Sequence, residues 1–467
     1  MTNEEVLSLA PNGGWGWVVV ASVCLINMFN QSLMSVFGLL FGDLLHSLGQ
    51  ETTGAALVTN LNCVALNFSG LFIGPAIKSF SPRKVAAAGC ILTSSGLMLC
   101  ALSTQLWHVI IGYSVLFGIG LGLIAPSSFM AINSYFSTKR GIAVGVSLAG
   151  TGLGQMVIPH IVRLLLDHYG FQITVLTMGF LALTGLIGAI SFRPLEAPKQ
   201  HNNMKEMKLF LDLKDKPDFE VKVVKNEAIK SDKELIENNT QKLEPRHNQI
   251  LRKLIEAMDL ELLKDPIFLS IIIGMSLIYT ATQNFAMLFP YFLQYSTGFS
   301  RKETAMCMSV LAFTDLSGRL IIPILSNKLR VPYRNVFLFG TIGAFISRAV
   351  MAESTELVSI TIASFFYGMM KAATVLTNNL TISDHCRPEK LPGALGLNMI
   401  SKGVLVMSLG QLLGWMRDHT NSYKLCLHAQ NILLGVTILF WLPEILYKYI
   451  RKIRKTKNTE QINNSFS

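Results

Sequence analysis

Leu311-Ala-Phe-Thr-Asp315-Leu-Ser-Gly-Arg319-Leu-Ile-Ile322 places an acid and a base inside an otherwise apolar stretch, over about 304–326. Such a stretch is long enough to cross the roughly 30 Å hydrocarbon core of a bilayer as a helix. A full charge at the bilayer centre costs about 2.5–3.5 kcal/mol on insertion scales, so it faces a bundle interior or a watery path. Positions i and i+4 share a helix face, which lets the Asp315 carboxylate and the Arg319 guanidinium touch. Two readings fit. The pair marks a pathway for a proton, an ion or an anionic solute, or it is a structural ion pair locking one helix to its neighbour.

The rest of the chain repeats the apolar pattern. Its 467 residues are 51% hydrophobic and only 15% charged, and its mean hydropathy is +0.44. A soluble chain carries about 25% charged residues. Apolar runs recur near 15–41, 55–77, 85–104, 107–131, 141–166, 172–192, 266–292, 304–326, 335–352, 357–380, 393–416 and 426–449. They predict an all-α membrane protein with twelve transmembrane helices. Glu4 and Glu5 precede the first run, which lacks a basic leading region. It also exceeds the length of a signal core, so it reads as a retained span.

Lys and Arg in short loops set orientation. One set of loops holds Lys78, Arg83 and Lys84; Lys139 and Arg140; Lys328, Arg330 and Arg334; and Arg387 with Lys390. The alternate loops hold Asp43, Glu51, Asp167, Glu353 and Glu356, with Arg301 and Lys302 as the exception. The basic set is expected in the cytosol, together with both termini. The net charge of +11 is thus mostly topology and needs no nucleic acid as partner. The expected division is 1–192 as a first six-helix bundle, 193–264 as a cytosolic linker, 265–450 as a second bundle and 451–467 as a basic cytosolic tail. The linker mixes Lys with Asp and Glu in near balance and has few aromatics, which suits a solvated segment. Its end, Ile250 to Leu263, spaces apolar residues as a surface helix does.

The two halves carry traces of a duplication. Lys139-Arg-Gly-Ile-Ala-Val-Gly145 opens the fifth span and Lys390-Leu-Pro-Gly-Ala-Leu-Gly396 opens the eleventh. Each sets a basic residue on the lip and small residues behind it, where small residues let helices approach closely in lipid. Six plus six spans around a cytosolic loop resembles the major facilitator fold, two pseudo-symmetric six-helix bundles that rock about a midplane site.

Two segments sharpen the resemblance. Pro11-Asn-Gly13-Gly14-Trp15-Gly-Trp17 opens the first span. Tyr135-Phe-Ser-Thr-Lys139-Arg140-Gly-Ile-Ala-Val-Gly145-Val-Ser-Leu-Ala-Gly150 opens the fifth. Together with Asp315 and Arg319 they resemble the signatures and charged pair of the monocarboxylate transporter family of the major facilitator superfamily. The paired tryptophans also suit a headgroup interface with no part in transport. This chain departs from the family pattern in three places. Asn12 stands where the first signature carries an acid. Ser35 stands where lactate carriers have a lysine in the outer half of the first span. Phe171-Gln172 replaces a Trp-Arg pair.

Other polar groups lie within spans. Asn27, Asn30 and Gln31 share one side of the first, Lys371 and Asn378 belong to the tenth, and Asn398 with Lys402 to the eleventh. Such stripes line a watery cavity or tie helices together; for the lysines the cavity reading is preferred. Arg319 is then expected to grip a carboxylate through its planar fork, with Lys371 and Lys402 adding attraction. Asp315 is expected to couple a proton by releasing Arg319 when protonated.

The resulting expectation is a secondary transporter of a small organic monocarboxylate, proton-linked, at the plasma membrane. The alternatives are a proton-independent facilitator of a larger or zwitterionic carboxylate, as divergent family members carry, and a transport-inactive receptor or scaffold. The resemblance implies a bilayer around the chain, and some family members travel with a single-span ancillary glycoprotein. No nucleotide loop, metal cluster or nucleophile constellation is legible, so neither an enzyme, a cofactor nor a metal is expected.

Overall fold

Backbone polar groups in hydrocarbon have no water to bond, so each apolar run must satisfy them internally as a helix. The computed structural model describes residues 11–49, 51–193, 258–420 and 422–465. Ten helical stretches among the described residues are long and apolar enough to cross a bilayer. One of them, Arg140–Ile190, turns back at Gly170 (φ 72°, ψ −178°) and supplies two crossings. Pro82–Cys100, rich in small residues, completes twelve.

In chain order α1 is Trp15–Ser47, and α2 comprises Glu51–Phe68 and Gly70–Ser79. Helix α3 is Pro82–Cys100 and α4 is Leu106–Tyr135. Helices α5 and α6 are 140–169 and 171–190 on either side of Gly170. Then follow α7 (Pro266–Ser296) and α8 (Arg301–Leu329). Helices α9 (Tyr333–Glu353), α10 (Leu357–His385), α11 (Leu391–Thr420) and α12 (Tyr423–Ser465) complete the bundle. Local chemistry fixes two of the starts. Asp265 caps α7 by accepting from the Ile267 backbone N–H at 2.9 Å, with Pro266 in the first turn. Ser300 and Glu303 form a reciprocal capping box on α8.

The packing divides unevenly along the bundle. The end that carries the Lys- and Arg-rich loops is the basic end; the other is the far end. At the basic end one apolar core draws on both halves, joining Val19, Phe129 and Val144 to Phe268, Leu380, Leu391 and Trp441. At the far end there are two cores. Leu33, Phe41, Tyr113 and Val162 belong to the first half, and Phe285, Phe292, Met351 and Tyr367 to the second. The halves are thus fused at the basic end and separately packed at the far end.

Glycines make the fusion close. A Cβ on Gly70 of α2 would lie 2.5 Å from the Gly396 carbonyl oxygen of α11, and the reverse substitution meets Gly70 at the same distance. Gly145 of α5 sits against the Arg319 carbonyl and Pro323 of α8. Gly145 and Gly396 close the two matching motifs, so each half presents the same position to the other.

The tail beyond 450 continues α12 as helix to Ser465, since its Lys, Arg, Glu and Gln residues propagate a helix and no Pro or Gly stops it. The surface helix expected over Ile250 to Leu263 falls largely outside the described residues, as does most of the linker; the described end, Leu260–Lys264, is a 3₁₀ turn.

Candidate functional site

Asp315 and Arg319 occupy successive turns of α8, and both are buried. Arg319 Nε donates to Asp315 Oδ1 at 3.2 Å and Nη2 donates to Oδ2 at 2.9 Å, a bidentate pair. Arg319 Nη1 donates to the Leu148 carbonyl of α5 at 2.9 Å. The Lys371 ammonium of α10 donates to Asp315 Oδ2 at 3.1 Å. One carboxylate therefore holds two cations from two helices, and the guanidinium also reaches into the first half. In this state the Arg319 fork is engaged by Asp315 and by the Leu148 carbonyl. Lys371 is bonded to the same acid.

A cavity of about 240 Å³ lies between the halves, beside this cluster. Its polar lining includes Asn27, Gln31, Tyr279, Asn378 and Lys402, and its apolar wall includes Phe129 and Phe337. Lys402 is buried, with its Nζ 5.1 Å from the centroid of the Tyr279 ring. No carboxylate lies within ion-pair distance of it among the described residues. The ring face offers the Lys402 ammonium a cation–π contact. Among the described lining residues Lys402 is the one Lys or Arg, and neither Arg319 nor Lys371 lines the cavity.

The remaining sequence candidates divide by helix face. Asn27 donates from Nδ2 to the Ser147 carbonyl of α5 at 2.8 Å and lines the cavity. Asn378 lines it too, donating to Asn379 Oδ1 at 2.8 Å. Gln31 lines it with a buried Oε1 that has no partner. Asn30 does not line it; its amide donates to the Ala182 carbonyl at 3.2 Å and accepts from Thr93 Oγ1 at 2.7 Å. That residue ties α1 to α3 and α6, because a 100° step from Gln31 turns it into the bundle. Asn398, almost wholly buried, is likewise outside the cavity lining. Tyr279 and Asn379 were missed. A polar run from Tyr279 to Asn284 within the seventh span carried the signal for the first.

The signature segments are hydrogen-bonded to each other. Asn12 Oδ1 accepts from the Ser137 and Thr138 backbone N–H groups at 2.9 and 3.0 Å. An amide oxygen performs here what an acid's oxygen would. Gly14 takes a left-handed φ of 57° at the start of α1. Trp15 donates to the Ser191 carbonyl at 3.0 Å beneath the Arg193 guanidinium, and Trp17 packs edge-on against Phe136. Gly13 has open space around it and Lys139 is exposed. Arg140 is buried and crosses the interface, donating to Asp384 Oδ1 at 3.0 Å, to Asn133 at 2.8 Å and to Ser383.

Two further contacts cross the basic end. Lys78 of α2 donates to Asp259 at 2.5 Å, and Asp259 lies against Gly393 of α11. Lys390 donates to Glu261 at 3.0 Å, and that hydrogen bond and charge hold the Glu261 carboxyl below its usual range. The Lys78–Asp259 pair and the glycine contacts above hold the first half to the second at the basic end.

The family model "Major Facilitator Superfamily" matches residues 23–411. Monocarboxylate transporter 12 of Mus musculus is 23% identical, over 98% of this chain and 90% of that protein. Monocarboxylate transporter 7 of Homo sapiens is 23% identical, over 91% and 84%. Monocarboxylate transporter 11 of Homo sapiens reaches 31% identity, over 37% of each chain. The fold also matches the solved structure of the proton:xylose symporter XylE bound to 6-bromo-6-deoxy-D-glucose. Its TM-score is 0.67 at 12% identity, over 92% of this chain and 96% of that one.

Proposed function

The chain belongs to the Major Facilitator Superfamily as a divergent member of its monocarboxylate transporter family, and we propose that it carries an organic carboxylate by alternating access. It is a multi-pass membrane transporter, related to transporters and not to enzymes. Lys402 carries the substrate reading: it is a buried cation on the cavity wall with no acid to neutralise it. An ammonium at membrane depth without a counter-charge is costly. A substrate carboxylate arriving at Lys402 removes that cost, and Lys402 supplies the attraction that Ser35 cannot.

The cluster on α8 and α10 is the coupling element in this proposal. In this state the Asp315 carboxylate draws Arg319 and Lys371 together, and Arg319 holds the Leu148 carbonyl of the other half. Protonation of Asp315 would weaken its hold on both cations and loosen the α5–α8 contact, which links proton binding to opening at the basic end. In the proton-independent alternative Asp315 stays paired with Arg319 and Lys371 throughout, and the cluster serves as a fixed tie between α8 and α10. Uptake into vesicles at two external pH values separates them. A rate that rises as external pH falls supports symport; a flat profile with intact uptake supports the facilitator.

The Lys and Arg asymmetry of the short loops supports a basic end in the cytosol, with both termini there; the plasma membrane is proposed from the family resemblance alone. A tag inserted near Asn238 should stay unlabelled in intact cells; labelling from outside would overturn the orientation. The carboxylate reading itself is tested with Lys402→Gln, which should lose most binding of an organic acid while reaching the membrane normally. Unchanged binding would remove Lys402 from the site.

A further inference from the structure

We infer that the cavity reads a neutral hydrogen-bond donor, a hydroxyl or amide N–H, on the body of its carboxylate substrate, and that Gln31 Oε1 receives it. The inference rests on the Lys402 reading and names a second contact, made from the other half of the molecule.

Helix α1 breaks where Gln31 begins. The α-helix Trp15–Phe29 gives way to a 3₁₀ segment, Gln31–Val36, before α-helix resumes at Phe37. Neither Gly nor Pro lies in the broken segment to account for it. Mid-helix 3₁₀ turns in long helices mark functional positions, and broken helices at mid-membrane line transporter sites. Asn30 pins the break from behind, through Ala182 and Thr93. The next residue, Gln31, is thereby fixed toward the cavity, with its carbonyl oxygen buried and unpartnered. A buried acceptor without a donor is costly, and a ligand donor relieves it.

Charge selects the kind of donor. Among the described residues the cavity lining contains no Asp or Glu. The neighbouring acid, Asp315, has one oxygen taken by Arg319 and the other by Arg319 and Lys371. A substrate ammonium would find no carboxylate and would face Lys402 across the same space. A hydroxyl or amide carries the hydrogen without the charge. The cavity volume of about 240 Å³ is more than a three-carbon acid fills. Phe129 and Phe337 offer its body apolar walls.

The test uses the purified full-length protein and three probes on one skeleton: 3-phenylpropanoate, 3-(4-hydroxyphenyl)propanoate and phenylalanine. Ligand-dependent shifts in melting temperature report binding, since a ligand that binds only the folded state raises it. The hydroxylated acid is expected to bind about two- to tenfold tighter than the plain acid, the scale of one neutral hydrogen bond. Phenylalanine is expected to bind more weakly than both. Gln31→Met should erase the hydroxyl preference while 3-phenylpropanoate still binds, and that retained binding shows the variant to be folded. A hydroxyl preference that survives Gln31→Met overturns the inference, as does phenylalanine binding as tightly as the hydroxylated acid. If both acids bind equally to the unaltered protein, this inference falls and the Lys402 reading stands. If neither binds, both fall.

Discussion

The Lys371 ammonium lies 3.1 Å from Asp315 Oδ2, the same oxygen that Arg319 Nη2 reaches at 2.9 Å. Two cations thus meet on one acid in the second half, and Lys402 is left to the cavity. The geometry assigns separate consequences to two lysines that look alike in sequence.

Lys402→Gln and Lys371→Gln should therefore differ in kind. Losing Lys402 removes an attraction present whenever substrate is bound, so KM should rise about tenfold or more, as for one hydrogen bond to a charged group. Losing Lys371 leaves Asp315 to Arg319 alone and should alter the maximal rate and its pH dependence, with KM nearly unchanged. Initial-rate kinetics at two pH values decide it. Equal KM effects from both variants would refute the separation.

Closure at the basic end depends on contact between two glycines. Gly396→Val should prevent it, because the added carbon meets the Gly70 carbonyl oxygen of α2. Backbone cannot swing aside as a flexible side chain can. Transport should fall at least tenfold, on the order of what 1.4 kcal/mol produces, with normal surface abundance. A cysteine placed at Val375 on the cavity wall should gain reactivity from the basic face; unchanged reactivity would show that the helices close without this contact.

Arg140 and Asp384 form the gate pair with the most buried cation, although the Asp384 side chain is 40% exposed. Solvent limits such a pair to about 1 kcal/mol, a fivefold shift between closed and open states. Arg140→Gln and Asp384→Asn should each favour the state open at the basic end by about that factor. The exchange Arg140→Asp with Asp384→Arg should recover part of the loss. Crosslinking yield between α5 and α10 across the basic end is the measurement, and identical yields in all four proteins would exclude a gating role.

Asn12→Asp should be close to neutral and Asn12→Ala harmful. The acceptor for two backbone N–H groups survives in the first and disappears in the second. The Ala variant is expected to lose about 1–2 kcal/mol, as when a helix-capping acceptor is deleted. Thermal melting of the detergent-solubilised protein reads this out. Equal melting of the two variants would make the contact between the signatures incidental.

The twelve crossings were legible in the sequence because a bilayer imposes one length on every apolar run. The Asp315–Arg319 contact was legible because one helical turn brings the two residues together whatever surrounds them. The matching glycines Gly145 and Gly396 followed from a repeated local pattern, although the sequence did not show what they would touch. Partner choice between helices was not legible. Lys371 bonds Asp315 only because α10 packs beside α8 with that face turned inward. Adjacent amides met opposite fates, Asn30 in the bundle and Gln31 on the cavity, because α1 rotates between them and then breaks into a 3₁₀ turn. Local hydropathy and spacing determined where helices form and which charges share a turn. Tertiary packing alone decided which of the charged groups Asp315, Arg319, Lys371 and Lys402 neutralise one another, because that depends on how helices distant in sequence are rotated about their axes.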